Sequence, residues 1–239
     1  MGRRWIVPGL GVLALVVVGA GGAHMGVLGP EIGFRIFGLG VLLGALLGVG
    51  LAGAAAFASA TGRDWRATAL KAALIPLVVT LAIVIPQLAN PGARVVLNDV
   101  STDLEDPPFF LPDVAAGTTA SQGPPPELRA LQRRSYPEIA PIHSSLPPAE
   151  AWPRALELAK RMERWRVTDL EESRGIIQAV ALSRIFRFVD DVVIRIRPED
   201  GGSRIDLRSR SRVGRGDLGA NAARVIEFQR RFLEEESGS

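Results

Sequence analysis

Three uncharged apolar stretches dominate the first 90 residues: Trp5 to Leu28, Ile36 to Ala60 and Ala72 to Leu88. Each is close to the ~20 residues needed to cross the hydrocarbon core of a bilayer, and none contains Asp, Glu, Lys or Arg. Apolar surface on that scale has to be buried in lipid, so the chain is expected to be a membrane protein with three spans. From Arg94 to Ser239 the pattern is that of a soluble domain. The expected organisation is a membrane region over 1–90, a Pro-rich arm over 91–148 that docks in part on the domain, and an α+β soluble domain over 149–239.

Lys and Arg positions set the expected topology. Arg3 and Arg4 precede the first span, and Arg63, Arg66 and Lys71 lie between the second and third, whereas the first loop offers only Arg35, opposed by Glu31. Positive ends face the cytoplasm, which places the residues after Leu88 on the other side of a bacterial inner membrane, in the periplasm or outside the cell. Trp5 and Trp65 fit as inner interfacial anchors. In an alternative reading Arg3 to Ala23 is a cleaved signal peptide; two spans would remain and the domain would still end outside. With no cysteine in the chain, neither disulfides nor a thiolate metal site can brace the exported part.

The pI of about 10.1 invites a nucleic-acid reading. Residues 1–90 hold six basic and two acidic side chains, which leaves 22 basic and 23 acidic for the rest. The basic excess is therefore the topology signal, and nucleic acid is excluded as a partner. In the second span Gly40, Gly44, Gly48, Ala52 and Ala56 form a small-residue ridge of the kind that lets helix backbones approach closely. The ridge serves packing among the chain's own helices or, in the alternative, a homo-oligomer interface. His24 near the outer end of the first span is the one ionisable side chain in these stretches, which argues against a proton or ion pathway.

Val95-Val96-Leu97 starts a short extended segment that leads into Asn98-Asp99-Val100-Ser101-Thr102-Asp103. From Glu105 to about Pro148 the prolines at 107–108, 124–126 and 147–148 predict an irregular arm, with Gly117 to Gly123 its mobile part. The apolar cluster Pro108-Phe109-Phe110-Leu111 is expected to dock on the domain. Beyond it, Ala149 to Arg164 carries Trp152, Ala155, Leu156, Ala159 and Met162 at helical spacing. Strands are predicted at Trp165 to Leu170, Ile176 to Ser183, Asp190 to Arg197 and Ser203 to Ser211. Asp217 reads as the N-cap of a last helix, Leu218 to Glu235, with Leu218, Ala222, Val225, Ile226, Phe232 and Leu233 facing inward. The strand connections are too short for helical crossovers, so a sheet of about four antiparallel strands with two helices follows.

One hairpin can be registered. Asp200-Gly201 tolerates positive φ at both central positions, so Glu199 faces Gly202 and facing residue numbers sum to 401. Ile196 then faces Ile205 and Ile194 faces Leu207 on the inner surface, while Arg195 faces Asp206 and Asp191 faces Arg210 on the other. In this register Arg204, Arg208, Arg210 and Arg212 form a row on that other surface, read as solvated. Asp190 and Ser211 point inward, where Ser209, Ser211 or Asn221 could partner the carboxylate.

The candidate functional cluster is Asp190, Asp191, Arg208, Arg210, Arg212, Asp217 and Asn221, converging at the end of the hairpin opposite its turn. Gly214 and Gly216 there would let backbone amides face an anion, with Arg212 or Arg215 beside them; Asp217 would compete for the same amides. A second candidate motif is Asn98, Thr102 and Asp103. A hydrolytic triad is disfavoured because His143, in the Pro-rich arm, is the sole exported histidine. Thr102 to Asp106 lacks the Asp-Gly turn and terminal Glu of a calcium loop and reads as a surface acidic turn, so neither a metal nor a cofactor is expected.

The run Arg208 to Arg224, with Asp190 to Arg195, Asn98 to Asp103 and Pro107-Pro108, resembles a bacterial family known as domain of unknown function 1499. The resemblance covers roughly Val95 to Leu233, and the leading spans look like the variant of that family that carries its own anchor. It implies an uncharacterised envelope-associated domain and brings no activity, cofactor or catalytic residue. The expected function is a membrane-anchored periplasmic module that binds or assembles an envelope component, a lipid, a glycan or another protein. The alternative is an enzyme using Asp190 with Asp191 or Asp103 for acid/base chemistry.

Overall fold

The computed structural model describes residues 6–89, 95, 97–111 and 123–238. They fall into two units: one holds the three N-terminal helices with residues 184–187, the other the remaining residues.

In the first unit, α1 (Val7–His24), α2 (Pro30–Ala60) and α3 (Arg66–Ala89) are each long and apolar enough to cross a membrane, with mean hydropathies of 1.7, 2.2 and 2.3. α2 and α3 start earlier than the apolar stretches suggested. Polar turns such as Arg66 to Lys71 are helical too, and hydropathy reports bilayer depth rather than helix length. Pro30 sits in the first turn of α2, where a missing N–H is unneeded. The glycine ridge meets the chain's own helices. A Cβ at Gly40 would lie 2.9 Å from Val16, one at Gly44 2.7 Å from the Thr80 hydroxyl, and one at Gly48 2.8 Å from Leu77. The ridge continues through Ala55 and Ala58, not Ala52 and Ala56. A four-residue repeat drifts by roughly 40° per step on a 3.6-residue helix, which turns the later alanines away. Trp5 lies outside the described residues.

The second unit contains β1 (Asp99–Ser101), α4 (Pro126–Ser135), β2 (Ile142–Ser144), α5 (Pro148–Arg161), β3 (Trp165–Glu171), β4 (Ile176–Leu182), β5 (Val189–Glu199), β6 (Gly202–Ser211) and α6 (Ala220–Ser237). The sheet is antiparallel, in the order β1-β6-β5-β4-β3, with β2 also on β6. The fold is α+β, as expected, but the sheet has six strands where about four were expected. The added strands come from the arm, where three-residue segments leave no periodicity to read. The arm also holds α4. Pro126 and Pro148, taken as breakers, occupy the first turns of α4 and α5, the helical position where proline fits best. The stretch Gly117 to Gly123, expected to be mobile, lies outside the described residues apart from Gly123.

The β5–β6 hairpin has the expected register, with Glu199 paired to Gly202, Ile196 to Ile205 and Ile194 to Leu207. The turn differs in one respect: Gly201 takes φ +87° and Gly202 φ +156°, but Asp200 is not among the positive-φ residues, so the two glycines absorb the reversal.

One sheet face carries the main core. Ile177, Ile194, Ile196, Ile205 and Leu207 pack with Ala155, Leu158 and Ala159 of α5 and Ala222, Val225, Phe228 and Phe232 of α6. Phe228 stacks on Trp165, ring centroids 5.9 Å apart. The inner stripe of the last helix is therefore shifted from expectation. α6 begins at Ala220, Leu218 lies before it at φ +57° and is exposed, Leu233 is exposed, and Phe228 takes the central place. On the other face Phe110 packs against Ile176 and Val193, so the Phe-Phe segment of the arm does dock.

Candidate functional site

The period-2 geometry of β5 and β6 divides the predicted cluster between the two faces of the sheet. On the helix-covered face lie Asp190, Ser209 and Ser211. Arg224, one turn beyond Asn221 on α6, donates to Asp190 Oδ2 at 2.8 Å, to Ser209 Oγ at 2.7 Å and to Asn221 Oδ1 at 2.6 Å. Ser209 Oγ also donates to Asn221 Oδ1, at 2.6 Å, and Asn221 Nδ2 donates to Ser211 Oγ at 3.0 Å. The expected partners of Asp190 are all close by, but the charge that compensates it is Arg224, which went unpredicted. Its position three residues after Asn221, on the same helix face, was the available signal.

Asp217 does accept helix-start amides, from Gly219 at 2.9 Å and Asn221 at 2.5 Å. Burial pushes its carboxyl above the ordinary Asp value, and nearby Asp190 adds to the rise; the amide bonds work the other way. With its two oxygens on Gly219 and Asn221, Asp217 occupies the place an anion would take at this helix start.

On the opposite face, the row expected to be solvated is buried at Arg208 and half-buried at Arg204 and Arg210, which corrects the sequence reading there, while Arg212 is exposed. Arg208 is 1% exposed. Its guanidinium grips Asp99 of β1 through Nε at 2.9 Å and Nη2 at 2.7 Å, donates to the Pro108 carbonyl at 3.2 Å, and lies 5.1 Å from the Phe110 ring centre. Arg210 lies at the same distance from that ring. Burial lowers the Arg210 guanidinium from its usual value, with Arg208 and Arg212 acting in the same direction and Asp99 and Asp191 against it. Arg212 forks onto the buried Asp191, with Nε at 2.9 Å and Nη2 at 2.7 Å from Oδ1, and that hydrogen bonding raises it.

Nearer the hairpin turn, fully buried Asp206 accepts from Arg195 and Arg197, each at 2.9 Å, and from Arg204 at 3.0 Å. Asp103 and Asp106 of the arm join this group: Arg204 Nη2 donates to Asp103 at 2.5 Å and Arg197 Nη1 to Asp106 at 2.8 Å. The segment expected to be a surface acidic turn is thus partly buried as a strap over the sheet. Burial pushes Asp103 up, but the amides of Asp106 and Glu105 with Arg204 and Arg195 more than offset it, and its carboxyl ends below the usual value.

The other members of the upstream motif also stitch the arm to β6. Thr102 N–H donates to the Leu207 carbonyl at 2.9 Å while its hydroxyl accepts the Leu207 amide at 2.8 Å. Asn98 Nδ2 donates to the Gly214 carbonyl at 2.7 Å. Sequence reasoning missed Gln132. Its carboxamide donates to the Ser101 carbonyl at 2.7 Å and accepts the Ser101 amide at 3.1 Å, closing the outer edge of β1 as a strand would. A single Gln on a short helix gives no signal of that.

His143 lies in β2 beside the hairpin turn, with Nδ1 2.5 Å from Glu199 Oε2, at the end of the sheet away from Asp190. Ser145 Oγ bonds Glu236 at 2.7 Å. A cleft of about 330 Å³ opens between the start of α5 and the end of β5, lined by Trp152, Arg174 and Arg197 among others; no residue of the candidate cluster lines it.

The family described as "Protein of unknown function (DUF1499)" matches residues 99–232. The chain belongs to the DUF1499 family. The matched range runs from the first residue of β1 to the last buried phenylalanine of α6, so it takes in both faces of the sheet and the strap that closes one of them. Among solved structures, the crystal structure of TTHA0849 from Thermus thermophilus is similar at 15% identity, covering 40% of this chain and 96% of that one, with a TM-score of 0.26. No curated protein matches.

Proposed function

We propose that this DUF1499 protein is a non-catalytic module, anchored in the bacterial cytoplasmic membrane by α1 to α3, that presents its α+β domain on the outer side to bind or assemble an envelope component: a lipid, a glycan or another protein. One observation carries the non-catalytic reading. Each carboxylate that acid/base chemistry would call on is already engaged: Asp190 by Arg224, Asp191 by Arg212, Asp103 by Arg204, and Asp217 by two backbone amides. Asp190 and Asp191 also point to opposite faces, which keeps them from acting on one substrate. The orientation is supported by the basic residues around α3 and before α1. An alkaline phosphatase reporter fused after Ser239 is expected to be active; activity of a cytoplasm-only reporter at that position would refute the orientation.

The acid/base alternative keeps one observation in its favour, the raised Asp217 carboxyl. The full chain in nanodiscs distinguishes the two when soluble glycerol phosphate and acidic oligosaccharides are screened for a rise in melting temperature, since a ligand stabilises only the state it binds. Binding is expected to raise the melting temperature without consuming the probe. Turnover of a probe that is lost in Asp217→Asn would favour the enzyme instead.

A further inference from the structure

The connection from β6 to α6 has an exposed composition that its structural role does not require. Val213 and Leu218 are 47% and 54% exposed. Arg212 and Arg215 are also exposed, and Arg215 makes no ion pair among the described residues. Leu218 holds a left-handed backbone, φ +57°, where Gly or Asn would be less strained. Two apolar side chains and two arginines on one short loop form an amphipathic tip.

The loop is fixed to the segment by which the chain enters the domain. Asp217 N–H donates to the Leu97 carbonyl at 3.1 Å, Ser211 N–H to the Asn98 carbonyl at 2.8 Å, and Asn98 Nδ2 to the Gly214 carbonyl at 2.7 Å. The last residue of the membrane helix α3 is Ala89, eight residues before Leu97. Eight residues of fully extended chain span at most about 29 Å. That tether bounds how far Leu97, and the loop bonded to it, can lie from the end of α3.

We propose that the loop Arg212 to Leu218 is a lipid-docking surface, with Val213 and Leu218 entering the boundary between head groups and acyl chains and Arg215 meeting anionic phospholipid head groups, while Arg212 stays on Asp191. Arginine suits that position: its stem lies along apolar surface and its head reaches phosphate. A single short loop binds membranes weakly by itself, but the covalent anchor holds it at high local concentration, so weak affinity is sufficient. The inference rests on the membrane-anchored reading and on neither the sidedness nor the ligand proposed above.

The absence of cysteine makes the test clean. Val213→Cys and Leu218→Cys, each labelled with an environment-sensitive nitrobenzoxadiazole dye, are compared in full-length protein in phosphatidylcholine–phosphatidylglycerol nanodiscs containing lipid with a shallow acyl-chain nitroxide. Leu170→Cys is the control, a leucine 50% exposed on the edge strand β3, aligned through Ile177 and Ile194 with Leu207 in the middle of β6 and so displaced from the loop along the sheet. Quenching at 213 and 218 is expected to be several-fold stronger than at 170 and to weaken when Arg215→Glu is added. Quenching at 213 and 218 no greater than at 170 would overturn the proposal, whether the loop is free in solvent or covered by another protein. Failure of the chain to enter nanodiscs at all would instead refute the anchor.

Discussion

The two faces of one sheet are covered by different chemistry and to different degrees. Beneath α5 and α6 the face is aliphatic and aromatic, and its lining follows from strand alternation and helix periodicity. Beneath the arm, the same two strands present Asp191, Arg195, Arg197, Arg204, Asp206, Arg208 and Arg210, and burial is made tolerable by pairing charge with charge. Apolar packing is non-directional and accepts near misses, whereas a buried ion pair is stabilising only when both partners and their remaining hydrogen bonds are in place. The first face therefore supplies stability, and the second fixes where the arm lies.

That contrast can be broken at several points. The largest effect is expected on the apolar face: Phe228→Ala, at a fully buried ring stacked on Trp165, should cost about 3–5 kcal/mol in chemical unfolding of the full chain. A loss under about 1 kcal/mol would show that α6 is not clamped to the sheet. On the strap side, Gln132→Ala removes both bonds to Ser101 and leaves buried backbone groups of β1 unpaired, for an expected cost of about 1–3 kcal/mol. Faster amide exchange confined to residues 99–101 would place that loss at β1, and unchanged exchange there would contradict the edge-closing role.

Two carboxylates of the cluster titrate in opposite senses. Asp217 has a raised folded-state value, so the folded protein binds more protons than the unfolded one and stability falls as pH rises through its titration. Asp103 is lowered, so its contribution is present above the ordinary Asp value and is lost as pH falls through the folded-state one. Relative to the parent, Asp217→Asn should thus gain stability as pH rises above the ordinary Asp value toward neutrality, whereas Asp103→Asn should gain it as pH falls below the ordinary Asp value. A curve parallel to the parent's above the ordinary Asp value for Asp217→Asn, or below it for Asp103→Asn, would contradict the respective assignment. The smallest effect is expected on the solvent side of α6. Glu227→Gln loosens the exposed pairs with Arg230 and Arg231 and should change stability by less than about 0.5 kcal/mol; a larger loss would mean that face is covered.

How far the fold could be read from sequence follows the same division. The three N-terminal helices announce themselves through unbroken apolar composition, and the four long strands, the hairpin register and the helices flanking the sheet through periodicity, because each of these buries a continuous apolar face. The strap does not. Arg208 alternates with Ser209 as a solvated arginine would, and partners about a hundred residues earlier, Asp99, Pro108 and Phe110, make it a core residue. Within the candidate site, the split of Asp190 from Asp191 was legible from alternation; Asp217, expected at the N-cap, lies two residues before it, because the N-cap is Gly219, and reaches the helix-start amides from there. The pairing of Arg195 with Asp206 followed from the hairpin register, whereas Arg224 and Gln132 were missed because their roles depend on which partner faces them.

The claim that the arginine row is structural is tested most directly by a double-mutant cycle between Asp99 and Arg208 in the full chain. Each single change, Asp99→Leu or Arg208→Met, leaves one buried charge uncompensated and is expected to cost about 3–5 kcal/mol, while the double variant should recover most of that, since an apolar pair can replace a buried ion pair at little loss. Single-variant losses that simply add, within about 0.5 kcal/mol, would show the two residues to be energetically independent and would contradict the strap.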